Sequence, residues 1–467
     1  MPMTISFRTG ALHRPATLLA ALTLGLALSL SVLTTVLLPR VGEAAGTGWT
    51  KLPTLPGLHG GNIWSIAVNP AAPNVLLAGT DNGLYRSADS GQTWSRVAAA
   101  TERVWTVAFS PKTANEVVAG VDGAGILVSM DSGLTWRSVT SGLPSLDVRS
   151  LALGLDGDAA GTANGVALSP DGFHWQPAGL SGYAISSVTV LSNQPSLTIL
   201  AGADRGPINA ASLFEESNGS TTWTPLTTNL PAGAIVSSLA SGPLTKLQPV
   251  HPVVVATSAG VYYSHDGAHS WTQGSGIPGG ISPTTITTVA FSPLDPSLVY
   301  AGADAGGSTG GGLFRSTDGG ATYTPATATA NTPGFASGLP TPKQEVEAIA
   351  VANTNPPTVY VALDQPGEGG SIYVLIDTSA PSPPSLIADV PGQALPSIIA
   401  APSPLSTPKA TAKPVPARNG GTSFMTKLLG SAFHWPIPLL FEILFLCVVI
   451  YLIVRWRQHS FDIEGPP

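Results

Sequence analysis

Only one cysteine, Cys447, occurs in 467 residues. An intrachain disulfide and any metal site built on cysteine are therefore excluded. The thiol lies inside an apolar run, where it counts as a small hydrophobe. Charge is also scarce: Asp, Glu, Lys and Arg make up 10% of the chain, with 20 basic against 27 acidic residues and a formal net charge of −7. No Lys-rich or Arg-rich block occurs, which argues against nucleic acid as a partner. Aromatic residues are few, at 7%, so one that returns in step with a pattern is informative. Apolar residues are not scarce: 43% is ample for a large core and excludes wholesale disorder. Gly (52) and Pro (43) together form about a fifth of the chain. Length alone suggests about three domains, although one all-β domain can run longer.

Two membrane-length apolar runs frame the chain. Ala16–Leu38 carries no charge and follows Arg8 and Arg14, the order of a secretory signal. Gly42 and Ala44 offer small residues for cleavage, while the length of the run equally fits an uncleaved anchor. The second run, Ile437–Val454, is 18 residues long, with Trp435 before it and Trp456 after it, where interfacial aromatics belong. Arg455 and Arg457 place the tail inside, and Arg8 and Arg14 place the N-terminus inside. Glu442 lies near the outer end, within reach of the headgroups. Between the middle of the chain and this run, Ala380–Thr422 is rich in Pro, Ser and Ala and reads as an extended spacer. The expected organisation is a signal peptide or anchor at 1–45, a folded region at 46–379 and a linker at 380–432. A transmembrane helix at 433–455 and a cytoplasmic tail at 456–467 complete it. The folded region is then held outside the cytoplasm on the cell membrane.

The folded region repeats. Ser87-Ala-Asp89-Ser-Gly91-Gln-Thr93-Trp94 returns as Ser129-Met-Asp131-Ser-Gly133-Leu-Thr135-Trp136. A shortened copy, Ser169-Pro-Asp171-Gly172, leads to Trp175, and an altered copy, Ser217-Asn218-Gly219, leads to Trp223. Ser264-His-Asp266-Gly267 precedes Trp271, and Ser316-Thr-Asp318-Gly319 precedes Tyr323. The aromatic anchors stand 42, 39, 48, 48 and 52 residues apart, the length of a four-stranded propeller blade. Each unit repeats a run such as Ser65–Val68, then Val75–Gly79, Gly83–Ser87 and Thr93–Val97, bounded by Asn-Pro, Asp-Asn-Gly and Asp-Ser-Gly turns. Inner strands are predicted to start at Ser65, Thr106, Ser150, Ser187, Ser238, Thr288 and Ala348. The seventh unit lacks an outer strand, and Gly48–Leu52 is a strand without a blade. The sequence thus predicts an all-β, seven-bladed β-propeller closed by its own N-terminal strand, with no sheet edge left open.

The motif is the Asp box, or bacterial neuraminidase repeat. The array resembles Asp-box propellers of the photosystem II stability/assembly factor-like, sortilin-ectodomain, xyloglucanase-type glycoside hydrolase and sialidase families. The resemblance covers about residues 46–378 and implies a fold, not a function, because these families act differently.

The box residues Asp89, Asp131, Asp171, Asp266 and Asp318 read as turn supports, and Trp94, Trp136, Trp175, Trp271 and Tyr323 as packing between sheets. Glycines 91, 133, 267 and 319 supply positive φ. The opposite rim is more variable. Asp81, Asp122, Asp204, Asp304 and Asp364 follow the second strands there, as turn residues or as an acidic rim for a cation or a basic partner. The residue before each inner strand runs Trp64, Trp105, Arg149, Ser186, Ser237, Thr287 and Glu347, with Arg103 and Tyr183 in the same interblade loops. Varying residues on a rigid scaffold are where binding concentrates. The expected ligand- or partner-binding set is Trp64, Arg103, Trp105, Arg149, Tyr183 and Glu347. Segment Gly46–Ala380 holds 11 Lys and Arg against 22 Asp and Glu, so a basic or cationic partner suits it.

These features predict a non-catalytic, membrane-tethered binding or assembly module for a protein or glycan partner, with no cofactor and no metal. A glycoside hydrolase is the alternative, with Glu345, Glu347 and the rim Asp residues as candidate carboxyls. A sialidase-like site needs an arginine cluster, for which only Arg103, Arg149 and Arg205 are placed, and no Arg-Ile-Pro motif occurs. Xyloglucanase-type relatives form their cleft from two propellers, whereas this chain encodes one. A surface protein without a specific ligand is the third reading, and a featureless rim would mark it. Asp156-Gly-Asp158 is too short for a helix–loop–helix calcium loop. His265 and His269 flank a turn, which argues against a zinc pair.

Overall fold

A computed structural model of the chain describes residues 48–384, apart from 59, 98–99, 194–195, 207–210, 218, 232, 278–285, 305–311, 327–338, 340–344 and 366–368. The expected signal or anchor, the transmembrane helix, the cytoplasmic tail and all but the first residues of the linker lie outside the described residues. Among the described residues, no helix is long and apolar enough to cross a membrane.

The described residues form seven four-stranded antiparallel sheets. Blade one holds Ile63–Val68, Leu76–Thr80, Gly83–Ser87 and Ser95–Arg96. The inner strands of the next six are Val104–Phe109, Val148–Leu153, Ala184–Asn193, Val236–Ser241, Ile286–Ser292 and Glu345–Val351. Each inner strand packs beside those of the two neighbouring blades, and the seventh returns to the first. Second strands are continuous buried runs, such as Leu76–Thr80 and Val117–Val121, because sheets cover both of their faces. Their glycines admit the neighbouring blade: a Cβ on Gly79 would lie 2.7 Å from the Val104 carbonyl, and one on Gly120 2.7 Å from that of Val148. Hydroxyls brace the inner ring as well. The Ser150 Oγ accepts the Val188 N–H at 2.8 Å, and the Ser187 Oγ accepts that of Leu239 at 2.9 Å, each across a blade boundary.

The ring is closed as the sequence predicts. Thr50–Lys51 is the outer strand of the seventh sheet, with Thr50 opposite Val374 and Lys51 opposite Tyr373. The Leu52 N–H adds a bond to the Ile372 carbonyl at 2.8 Å. Trp49 packs with Leu298, Tyr300 and Leu313 of blade six and Tyr373 of blade seven. Leu52 and Leu55 pack with blade one. One short segment therefore staples the last blade to both neighbours.

The box turns have the expected structural role. In blade one the Ser87 Oγ donates to Asp89 Oδ1 at 2.8 Å and accepts the Gly91 N–H at 2.8 Å. Asp89 also accepts the Thr93 N–H and hydroxyl, at 2.8 and 2.6 Å. The boxes at Asp131, Asp266 and Asp318 repeat this pattern. At the shortened box, His174 replaces Thr as the partner of Asp171. Glycines 91, 133, 267 and 319 all have positive φ. In blade four Asn218 lies outside the described residues, and the fully buried Glu216 takes the Ser220 N–H instead. Trp94, Trp175, Trp271 and Tyr323 are buried. Trp136 and Trp223 are partly buried and pack against the same inter-sheet cores.

A second buried tie secures the exit of the ring. Arg315 of blade six lies 3.1 Å from Asp377, just past the last strand, and donates to the Ser379 carbonyl at 2.9 Å. The Tyr300 hydroxyl donates to the same Asp377 carboxylate at 2.6 Å.

Candidate functional site

The inner strands begin two or three residues earlier than the repeat spacing suggested, and the reason bears on the site. Each has a register break, and the unpaired position is Trp64, Trp105, Arg149, Ser186, Ser237, Thr287 or Glu347. These residues do not precede the strands; they are β-bulges inside them. A bulge leaves one residue out of the ladder and re-aims its side chain. Up-and-down strand order puts all seven on the rim that carries the interblade loops and the turns between second and third strands.

The seven positions fall into two classes. In blades four, five and six the bulge residue is small and hydroxylic. The Ser186 Oγ donates to the Val236 carbonyl at 2.5 Å, that of Ser237 to the Ile286 carbonyl and the Thr287 hydroxyl to the Val346 carbonyl. Each thus locks its blade to the backbone of the next. In blades seven, one, two and three the same position carries Glu347, Trp64, Trp105 and Arg149. The blades are consecutive, so the large side chains form one arc.

Asp81 organises the centre of the arc. Its carboxylate accepts the Asn62 N–H at 2.8 Å, the Trp64 Nε1–H at 2.8 Å and the Arg103 Nε–H at 2.7 Å. These bonds, with the Arg103 charge, hold its carboxyl below the usual range despite burial, which acts the other way. The Arg103 guanidinium carbon lies 4.6 Å from the Trp105 ring centre and 5.5 Å from that of Trp64, within cation–π range. The two indoles are 5.1 Å apart and tilted by 54°. Arg103 remains 39% exposed in its side chain, so the cluster faces solvent. Arg149 is held by Asp147 at 2.9 Å and by Asp204 of blade four at 3.5 Å.

Carboxyls gather at the other end. The bulge brings the Glu347 carboxyl beside that of Glu345, whose cross-strand partner is Asp364. The carboxyl oxygens of the three lie within 4.8 Å of one another. Among the described residues, Glu347 receives the Asn62 Nδ2–H, at 3.4 Å. Burial first, then Glu345, Asp364, Asp304 and Asp81, push its carboxyl up to about 8. Glu345 is raised as well, by burial and by Asp304 and Asp364. Carboxyls so close favour the neutral form of Glu347.

Five of the six expected binding residues thus belong to one arc. Tyr183 does not join them: it packs edge-on against Phe214, with ring centres 5.0 Å apart, and supports blade four. Of the rim aspartates, Asp81, Asp204 and Asp364 take part directly, and Asp304 acts through its field on Glu345 and Glu347. Asp122 makes a backbone bond to the Arg103 carbonyl. The Arg205 side chain lies outside the described residues. Sequence reasoning missed Asn62 and Asp147. Asp147 precedes the strand and meets Arg149 because that residue is bulged out of the ladder, which no sequence pattern marks. Nothing in the sequence marks Asn62, whose role comes from the closing of blade seven onto blade one.

No family model matches the chain. A stretch of 119 residues is 29% identical to a xyloglucanase of Hypocrea jecorina (strain QM6a) and covers 24% of this chain and 14% of that enzyme. Among solved structures, the GH74 xyloglucanase of Xanthomonas campestris superposes with a TM-score of 0.53 at 19% identity. It covers 72% of this chain and 55% of its own. YCF48 from Cyanidioschyzon merolae aligns with a TM-score of 0.48 at 17% identity, over 70% of this chain and 98% of its own. The chain is therefore similar to β-propeller proteins, and it spans about half of the solved xyloglucanase.

Proposed function

We propose that the propeller is a non-catalytic binding or assembly module, tethered to the membrane on the extracytoplasmic side, that engages a partner through the rim arc of blades seven, one, two and three. The observation that carries this reading is the division of the bulge positions. Three are consumed in tying blades together, while four adjacent ones present Glu347, Trp64, Trp105 and Arg149. Trp and Arg, here held by the partly buried Asp81, Asp147 and Asp204, are the residue types that dominate contact energy. The tether rests on the two apolar runs and the Pro-rich spacer. Site-specific photo-crosslinking from the Trp105 position in the native membrane tests it, with the box-rim position Leu134 as comparison. Adducts from Trp105 alone support the proposal; adducts from Leu134 alone, or from neither, overturn it. Protease added to intact cells should digest the ring, and a protected ring removes the extracytoplasmic placement.

One observation favours a second reading, a glycoside hydrolase. Glu347 is held protonated beside ionisable carboxyls, as a general acid requires, and the 119-residue match is to a xyloglucanase. Against it, retaining enzymes separate their two carboxyls by about 5–5.5 Å and inverting enzymes by about 6.5–9.5 Å. Here one oxygen of each of the three carboxyls lies within 4.8 Å of the others, closer than either spacing. Hydrolysis of xyloglucan or a sialoside by the full chain, abolished by Glu347→Gln, would establish the enzyme.

A further inference from the structure

We infer that the arc seats an extended basic segment of a partner protein, with a lysine or arginine at the blade-seven carboxyls and the adjoining residues over Trp64 and Trp105. This rests on the binding-module reading and adds the chemistry of its partner.

The arc is polarised. Its aromatic sector already holds a guanidinium, that of Arg103, and Asp81 fixes that group in place. The indoles are thus shown to suit a cation, and both remain partly exposed beside the one they hold. Beside them, no cation is paired with Glu345, Glu347 or Asp364 among the described residues. Like charges directly across a sheet oppose folding, and partial burial makes them costlier. An incoming ammonium or guanidinium relieves both penalties at once. An acidic segment would meet three carboxyls, and a neutral sugar would leave their repulsion in place. The region as a whole, with 11 basic against 22 acidic residues over 46–380, steers a basic segment toward the ring. Aromatic faces flanking a carboxyl group also suit a lysine or arginine, whose stem packs while its head stays polar.

Seating a cation displaces the proton that crowding and burial favour on Glu347. Among the described residues, the charges that act on it are Glu345 and Asp364 of its own blade, Asp304 of blade six and Asp81 of blade one, the last already paired with Arg103. All are acids, so binding strengthens as pH rises toward 8, by up to about tenfold per unit.

The test uses the full chain in uncharged phosphatidylcholine nanodiscs and fluorescent 12-residue peptides of matched length, one Lys/Arg-rich and one Asp/Glu-rich, with a xyloglucan oligosaccharide as third probe. The basic peptide should bind, quench tryptophan emission and weaken with salt. Glu347→Gln and Trp105→Ala should each weaken it roughly tenfold, and the box-rim variant Leu134→Ala should not. Glu345→Gln provides a second carboxyl variant should Glu347→Gln fold poorly. Preference for the acidic peptide or the oligosaccharide, or basic binding indifferent to these substitutions, overturns the inference. If crosslinks from Trp105 still capture a partner while basic peptides fail to bind, the module reading survives and this one does not.

Discussion

Replacing Trp49 by alanine tests the closure of the ring. The indole is 5% exposed, lies between blades six and seven, and donates its Nε1–H to the Ala326 carbonyl at 3.2 Å. Truncating a buried Trp costs about 3–5 kcal/mol, and the orphaned carbonyl adds about 1 kcal/mol. A ring of roughly 330 residues unfolds with an entropy near 0.7 kcal/mol/K, taking about 2.1 cal/mol/K for each residue. A loss of about 4–6 kcal/mol then lowers Tm by about 6–9 °C. Calorimetry of the Trp49→Ala chain measures this, and Leu247→Ala, at 92% exposed, is the control. Hydrogen exchange should show the Leu52 amide, which bonds to the Ile372 carbonyl, losing protection with it. An unchanged Tm and unchanged protection at Leu52 would mean that the N-terminal strand does not hold the ring shut.

Two further outcomes are expected. Hydrogen bonds from Thr135 hold the Asp131 carboxyl down to about 2. A depressed carboxyl stabilises the fold above its unfolded pKa near 4, and the gain is lost as pH falls through about 2. Asp131→Asn should therefore flatten the loss of Tm between pH 4 and pH 2, at a cost near 1 kcal/mol at neutral pH after solvent screening, and leave partner binding unchanged. An undiminished slope would show that the box carboxylate does not couple to folding. At the ring exit, Arg315→Met strands the buried Asp377 and should cost about 3–5 kcal/mol, which Arg315→Met with Asp377→Leu should largely restore. Equal melting of the single and double variants would show that Asp377 is not strained by the loss.

How much was legible in the sequence follows from the range of each interaction. The boxes are local: Ser87, Asp89, Gly91 and Thr93 satisfy one another within a single turn, so their spacing gave away the blade, the blade count and the rims. The closing strand was legible by elimination, because one blade lacked a strand that the N-terminus could supply. Four of the six candidate binding residues were legible as a series at equivalent repeat positions, and Arg103 and Tyr183 only as their neighbours in the interblade loops. Their sorting was not. That Ser186, Ser237 and Thr287 are spent on carbonyls of the next blade depends on how closely neighbouring sheets approach. That Tyr183 turns to Phe214 depends on packing within blade four. That Asp81 gathers Asn62, Trp64 and Arg103 depends on positions up to 41 residues apart meeting at one rim. The crowding of Glu345, Glu347 and Asp364 arises from a bulge and a cross-strand register. Periodicity records what each blade does for itself; only the closed ring brings residues from different blades within reach, because hydrogen bonds and charge act over ångströms of space and not along the chain.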